Sequence, residues 1–258
     1  MDTGWTGRWI LAAVWVACAS GLTLFNTTVL ADERTPAVTP YRPSVSTPAQ
    51  LSAPGWLEGE FGLLRAHSAD SDRDSAPFTL KLAFSPEWGV RIGGEALVHQ
   101  SNQGYRFGDT ALILKRRFAF ANFALGLEGG VIAPTGHDDS GSTAYTINTL
   151  FSADFGPWHN DTNYFGTRFA ATSGLPGYWQ WGWASALSRT LGDRWGATGE
   201  LSGTHQPGQT SIQLLAAASY TLRSGSVIDF GFAHELQAGA QNAQWFVGVT
   251  TMLARVLH

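Results

Sequence analysis

The sequence predicts an all-β chain, a 12-stranded antiparallel up-and-down transmembrane β-barrel. Three observations lead there. Between Gly55 and Leu253, twelve stretches alternate apolar and polar side chains, the two-residue period of a strand with a different environment on each face. The gaps between them read long, short, long, short, as expected when successive strands reverse at opposite membrane surfaces. Tryptophans gather where stretches begin, and the indole ring prefers the headgroup level of a bilayer.

The first stretch, Leu57 to Leu64, sets Leu57, Phe61 and Leu63 against Glu58 and Glu60. In the second, Phe78, Leu80, Leu82 and Phe84 alternate with Thr79, Lys81, Ala83 and Ser85. The third sets Val90, Ile92 and Val98 against Arg91, Glu95 and His99, and the fourth covers Asp109 to Arg116. The fifth places Phe123, Leu125, Leu127 and Val131 opposite Gly126, Glu128 and Gly130; the sixth places Tyr145, Ile147, Phe151 and Phe155 opposite Thr146, Asn148, Ser152 and Asp154. Strands seven to nine follow over Trp158 to Phe165, Trp179 to Thr190 and Trp195 to Thr204. The tenth sets Ile212, Leu214, Ala216 and Tyr220 against Gln213, Ser219 and Thr221, the eleventh sets Ile228, Phe230 and Phe232 against Asp229, and Trp245 to Leu253 is the last.

Short turns are expected near 86, 118, 157, 193 and 224, and longer, extracellular loops near 70, 103, 138, 172, 207 and 239. The loops after strands five and seven would narrow the outer mouth. An even strand count returns both chain ends to the periplasmic side. Trp88, Trp158 and Trp195 open strands leaving short turns, whereas Trp179, Trp181, Trp183 and Trp245 lie where strands descend from long loops. They are read as two interface girdles. A soluble β-sandwich would alternate as well, with its apolar faces inward. It would have no reason to sort loops by side.

Hydrophobic residues make up 44% of the chain and charged ones only 14%, too few for an ordinary soluble domain. A net charge of −4 without a basic stripe argues against a nucleic-acid partner. Arg8, the uncharged run from Trp9 to Phe25 and the small residues before Asp32 make residues 1–31 an export signal. Its removal would take Cys18, the sole cysteine, with it. Residues 32–54 carry Pro36, Pro40, Pro43, Pro48 and Pro54 and are read as a Pro-rich periplasmic linker; a segment folded back to plug the lumen is the alternative. Residues 55–255 are the barrel, placed in the bacterial outer membrane with membrane lipid as its surroundings.

With apolar faces against lipid, Glu58, Glu60, Lys81, Arg91, Glu95, Asp109, Lys115, Glu128, Asp154, Asp161, Asn163, Glu200 and Asp229 are the candidate lumen-lining residues. A basic side chain facing lipid at mid-depth would cost about 2–4 kcal/mol. Such charges can pair across strands as a polar core or line a selective path; for most of them pairing is the favoured reading, because an ionisable group in a narrow lumen needs a partner. His137-Asp138-Asp139-Ser140 lies in a loop whose composition is that of solvated turns. No catalytic residue, metal site or cofactor is assigned, and lipid hydrolysis ranks below transport and below a structural or adhesive barrel with a sealed interior.

Several short pieces, in order, resemble one known group: Gly108-Asp109-Thr110 with Lys115, Pro134-Thr135-Gly136, and Asp161 with Asn163-Tyr164. Trp181 with Ala184-Ser185-Ala186-Leu187, Glu200, and Asp229 with Gly231 continue the series. The chain resembles the bacterial outer-membrane family named for the meta pathway of phenol degradation. That resemblance implies an outer-membrane barrel passing small compounds, aromatic or hydrophobic ones among them. The chain departs from many outer-membrane barrels in ending Ala254-Arg255-Val256-Leu257-His258 rather than in Phe.

Overall fold

Strict alternation from Phe78 to Ala83 can satisfy both of its faces only if the sheet has a lipid side and an inner side, and the chain resolves this by closing on itself. The computed structural model describes residues 35–69, 71–101, 103–136, 141–172, 176–222, 225–236 and 242–257. The readings of 1–31 as an export signal and of the 137–140 loop therefore lie outside the described residues.

The strands are β1 Trp56–His67, β2 Asp72–Ala83, β3 Trp88–Gln100, β4 Thr110–Ala119, β5 Phe123–Ala133 and β6 Ala144–Phe155. They continue with β7 Trp158–Phe169, β8 Tyr178–Leu191, β9 Trp195–Gln206, β10 Gln209–Thr221, β11 Val227–Glu235 and β12 Ala243–Arg255. Each pairs antiparallel with its sequence neighbours, and β1 pairs with β12 to close the ring. Closure leaves no unpaired edge, the condition for a sheet to cross hydrocarbon. The outer surface is apolar around the ring, with Phe61, Ile92, Leu114, Ile147, Leu214 and Val247 all exposed. A closed barrel with an apolar outer surface is built to sit in a membrane.

Two features differ from expectation. The connection between β9 and β10 is only Pro207-Gly208, not a long loop; Gly208 takes a left-handed φ of +79°, which lets the strands pair to the tip. The β1–β2 connection is likewise no longer than the β2–β3 one. Loop sorting thus holds for 101–109, 134–143, 170–177 and 236–242 and fails at these two places. The second difference is a bulge in β3. Pro77 pairs with Glu95 while Ala76 pairs with Leu97, so Ala96 is passed over. Proline has no N–H to offer the ladder there, and one extra residue inverts facing beyond it. Val98 accordingly points inward and is buried, not outward with Val90 and Ile92.

Candidate functional site: an occupied lumen

The residues that fill the interior come from before the first strand. Thr39 N donates to Glu58 Oε2 at 3.0 Å and Tyr41 N to Glu60 Oε1 at 2.6 Å, both on β1. Lys81 on β2 donates to Thr39 O at 2.6 Å, and Lys115 on β4 to Pro48 O. Ala49 N donates to Ser152 Oγ on β6 at 2.7 Å. The amide of Asn163 on β7 meets Thr47, with Nδ2 3.1 Å from Thr47 O and Oδ1 3.2 Å from Thr47 N once oriented to satisfy its neighbours. Val45 N and Ser46 N reach Glu200 on β9, and Arg42 reaches Asp229 on β11. A segment in contact with walls on every side of a closed ring can only run inside it. The linker reading therefore does not hold for residues 36–54, and the fold-back alternative describes them.

Composition suits this segment to its position. Its prolines carry no N–H, so fewer donors need partners in a confined polar space. They also restrict the undocked chain, which lowers the entropy lost on docking.

Its contacts form four groups. In the first, Lys81 lies 2.6 Å from both Glu58 and Glu60. Two carboxylates against one ammonium leave an acid in excess, and the Thr39 and Tyr41 amides complete the coordination. Lys81 also sits over one face of the Tyr41 ring at 3.9 Å and Lys115 over it at 4.3 Å. The phenol oxygen accepts from Lys115 at 2.8 Å and donates to Gln50 O at 3.1 Å. Burial, with the nearby Glu128 carboxylate, raises the Tyr41 pKa well above its ordinary value. The ring thus stays neutral beneath the Lys81 ammonium, whose attraction to its π-face adds to the docking.

In the second group, Glu200 is buried with Val45 N at 2.9 Å, Ser46 N at 2.7 Å and Ser46 Oγ at 2.7 Å. Adjacent backbone amides converging on a carboxylate form an anion nest, here supplied by the plug. The third group is Arg42, which donates Nε and Nη2 to the two oxygens of Asp229. It passes over Gly62 and Gly248, where an added Cβ would meet the guanidinium within 3 Å. These glycines face each other across β1 and β12 and leave the space that the arginine fills. The fourth is apolar: Ala49 packs against Ala124 and Leu150.

The remaining sequence candidates fall elsewhere. Arg91 pairs with Glu128 at 3.1 Å, with Lys115 3.8 Å from the same carboxylate. Glu95, at the bulge, pairs with Arg73. Asp161 contacts Ser152 Oγ, and His159 spans Asp154 and Asp161 at 2.7 and 3.1 Å. Asp154 is exposed at the short-turn rim, and Asp109 precedes β4 and is exposed in the long-loop mouth, not in the wall. Of the girdle tryptophans, Trp158, Trp179, Trp181, Trp195 and Trp245 are exposed, while Trp88 and Trp183 are half-buried. Sequence reasoning did not single out Tyr41, Arg42, Ser46, Thr47, Ala49 or Arg73. Among the described residues, no group of three or more His, Cys, Asp or Glu side chains could hold a metal ion.

One space remains beside the plug, and one inward-facing apolar cluster is packed near it. At the short-turn end a cavity of about 300 Å³ adjoins Pro40, Arg42 and Pro43 and is walled by His159, Ser188, Thr198 and Ser219. Toward the long-loop end, Leu215, Ala233 and Phe246 form an apolar patch with Leu64 and Ala217 packed on it. All five share inward parity with Asp229, Glu60 or Ser219, so the upper lumen has an apolar wall.

No protein-family model and no curated protein matches the chain. Solved structures do. An outer membrane channel from Pseudomonas putida F1, described as a COG4313 channel, is 11% identical, with 80% of this chain and 98% of that one covered and a TM-score of 0.64. The NanC porin is 8% identical over 75% and 100%, with a TM-score of 0.59. The KdgM porin in complex with disordered oligogalacturonate is 11% identical over 76% and 99%, with a TM-score of 0.57. The fold is therefore that of porin-like outer-membrane channels.

Proposed function

We propose that this protein is a non-catalytic outer-membrane passage for a small solute, held closed by its own residues 36–54. The observation that carries the reading is the chemistry of the closure. The plug is joined to the wall chiefly by hydrogen bonds and ion pairs to side chains that water could solvate in its place. Each such hydrogen bond contributes about 0.5–1.5 kcal/mol net, or about 1.5–3 where one partner is charged. Ordering each plug residue costs about 1–2 kcal/mol of backbone entropy. The two terms oppose each other, so removing a few of the contacts shifts the balance toward release, as a gate requires.

With Arg42 withdrawn from over the Phe246 ring, the apolar cluster there would offer a wall to a hydrophobic part of a solute, and the polar cavity beside Arg42 supports one that also carries hydroxyl or charged groups. An amphipathic small molecule, aromatic compounds included, fits both. This agrees with what the resemblance to the phenol meta-pathway family implies. The lumen contacts also favour a second reading, a sealed structural barrel. Liposome swelling with purified protein separates the two. Arg42→Ala and Glu200→Gln should speed uptake of small phenols and sugars over the unaltered chain. Impermeability of all three forms would leave the sealed barrel.

A further inference from the structure

On the outer, lipid-facing wall a groove of about 530 Å³ crosses β6 to β10, within the roughly 300–1,000 Å³ typical of ligand sites. Its floor is made by glycines. Gly166 shares facing with the exposed Tyr164, and Gly203 with the exposed Leu201, so neither puts a side chain into the space. Trp181 folds toward Gly166, where an added Cβ would come within 2.8 Å of two of its ring carbons, and Trp183 folds toward Gly203. Trp181 is further braced by stacking on Trp179, centroids 5.0 Å apart. The lining is almost wholly apolar except at one end. There, at the β9–β10 hairpin tip, His205 Nδ1 and Thr210 Oγ1 are hydrogen-bonded at 2.8 Å. The opposite end, at Thr149 and Tyr164, lies near mid-strand.

We infer that this groove binds one acyl chain of an outer-leaflet membrane lipid, with the headgroup side of that lipid at His205 and Thr210. The inference rests on the outer-membrane reading, which places this wall in hydrocarbon and the long-loop end outward. An ordinary barrel face offers lipid a convex surface. Here two glycines and folded indoles make a concavity that is apolar along most of its length, with the Thr149 hydroxyl at the mid-strand end already bonded to Tyr164 O at 3.2 Å and open polar groups gathered at the membrane surface, the polarity profile of a lipid. Fixed rings also hold the slot open without side-chain ordering on binding, which favours occupancy.

The test is mass spectrometry of the full-length protein, extracted from outer-membrane fractions in mild detergent and measured intact. One phospholipid or lipid A-type molecule should remain on each barrel. Thr149→Trp and Ile212→Trp, which fill the groove from exposed wall positions, should lower retention about tenfold, equivalent to ~1.4 kcal/mol. His205→Leu with Thr210→Val, which removes the polar end and leaves the apolar part of the groove in place, should also lower it. Heat-modifiable gel migration confirms that each variant forms a barrel, so loss of retention is read only on folded protein. Lipid absent from the unaltered barrel, retention equal in the filled variants, or a dimer that the filled variants abolish would each overturn the assignment. Recovery of the protein outside the outer-membrane fraction would instead defeat the outer-membrane reading on which it rests.

Discussion

Arg42 and Asp229 meet across the lumen with Nε at 3.3 Å and Nη2 at 3.2 Å from the two carboxylate oxygens, and the Asp229 side chain is only 2% exposed. Removing one partner strands the other. Leaving a buried charge uncompensated costs about 3–5 kcal/mol, an upper bound in a lumen that admits water on release. Arg42→Ala should therefore raise single-channel open probability strongly, and Arg42→Ala with Asp229→Asn should raise it less than the sum of the single changes. Planar-bilayer recordings of the four-member cycle check this. Additive effects would mean that the pair does not hold the plug.

Gly62 and Gly248 test the same contact from the wall. A Cβ at Gly62 would lie 2.7 Å from the Arg42 guanidinium carbon, so Gly62→Ala must displace the arginine while leaving the strand paired. The expected result is plug release with unchanged barrel stability by heat-modifiable migration. An Arg42→Ala background should hide the effect of Gly62→Ala, because the clashing group is gone. Equal effects in both backgrounds would contradict this.

Glu200→Gln should loosen the middle of the plug. The carboxylate accepts from Val45 N, Ser46 N and Ser46 Oγ; an amide offers one acceptor oxygen and turns an NH₂ toward donors. Losing a charge-assisted bond costs about 1.5–3 kcal/mol. Limited proteolysis within 36–54 should become roughly ten-fold faster or more by that figure, and Glu200→Asp should be intermediate. Unchanged cleavage rates would remove Glu200 from the docking account.

Tyr41 gives the plug an alkaline limit. Its pKa is raised in the seated state, so its contribution is fully present below the released-state value of about 10 and is lost as pH rises through the higher seated value. Conductance should climb at alkaline pH in the unaltered protein. Tyr41→Phe should lack the component of that rise that belongs to the phenol. A rise identical in both proteins would assign it to other groups.

The wall was legible because each strand is a local pattern: Phe78 to Ala83 or Tyr145 to Asp154 can be read without knowing its neighbours. The β3 bulge was not, since the register change belongs to the Pro77–Glu95 pairing and is not written in β3 alone. The tight turn at Pro207-Gly208 carried its turn residues in plain view, but the regular alternation of loop lengths suggested a longer connection. The plug had the weakest signal. Segment 36–54 has no periodicity, and its partners run from Glu58 to Asp229, so nothing local connects them. One clue was present: the inward-facing acids outnumber the inward-facing bases. Glu200, without a basic neighbour on its own or adjacent strands at the same level, implies donors from elsewhere, and the plug amides are those donors.

The occupancy of the lumen by residues 36–54 is most directly tested by thiol labelling at Ala49, which is fully buried against Ala124 and Leu150. The chain has one cysteine, Cys18, so Ala49→Cys with Cys18→Ser presents a single thiol. In reconstituted barrels a water-soluble maleimide should leave this thiol largely unreacted, and adding Arg42→Ala and Glu200→Gln should make it react quickly. Rapid, complete labelling of Ala49→Cys with the other plug contacts intact would show that the segment lies outside the barrel and would contradict the account.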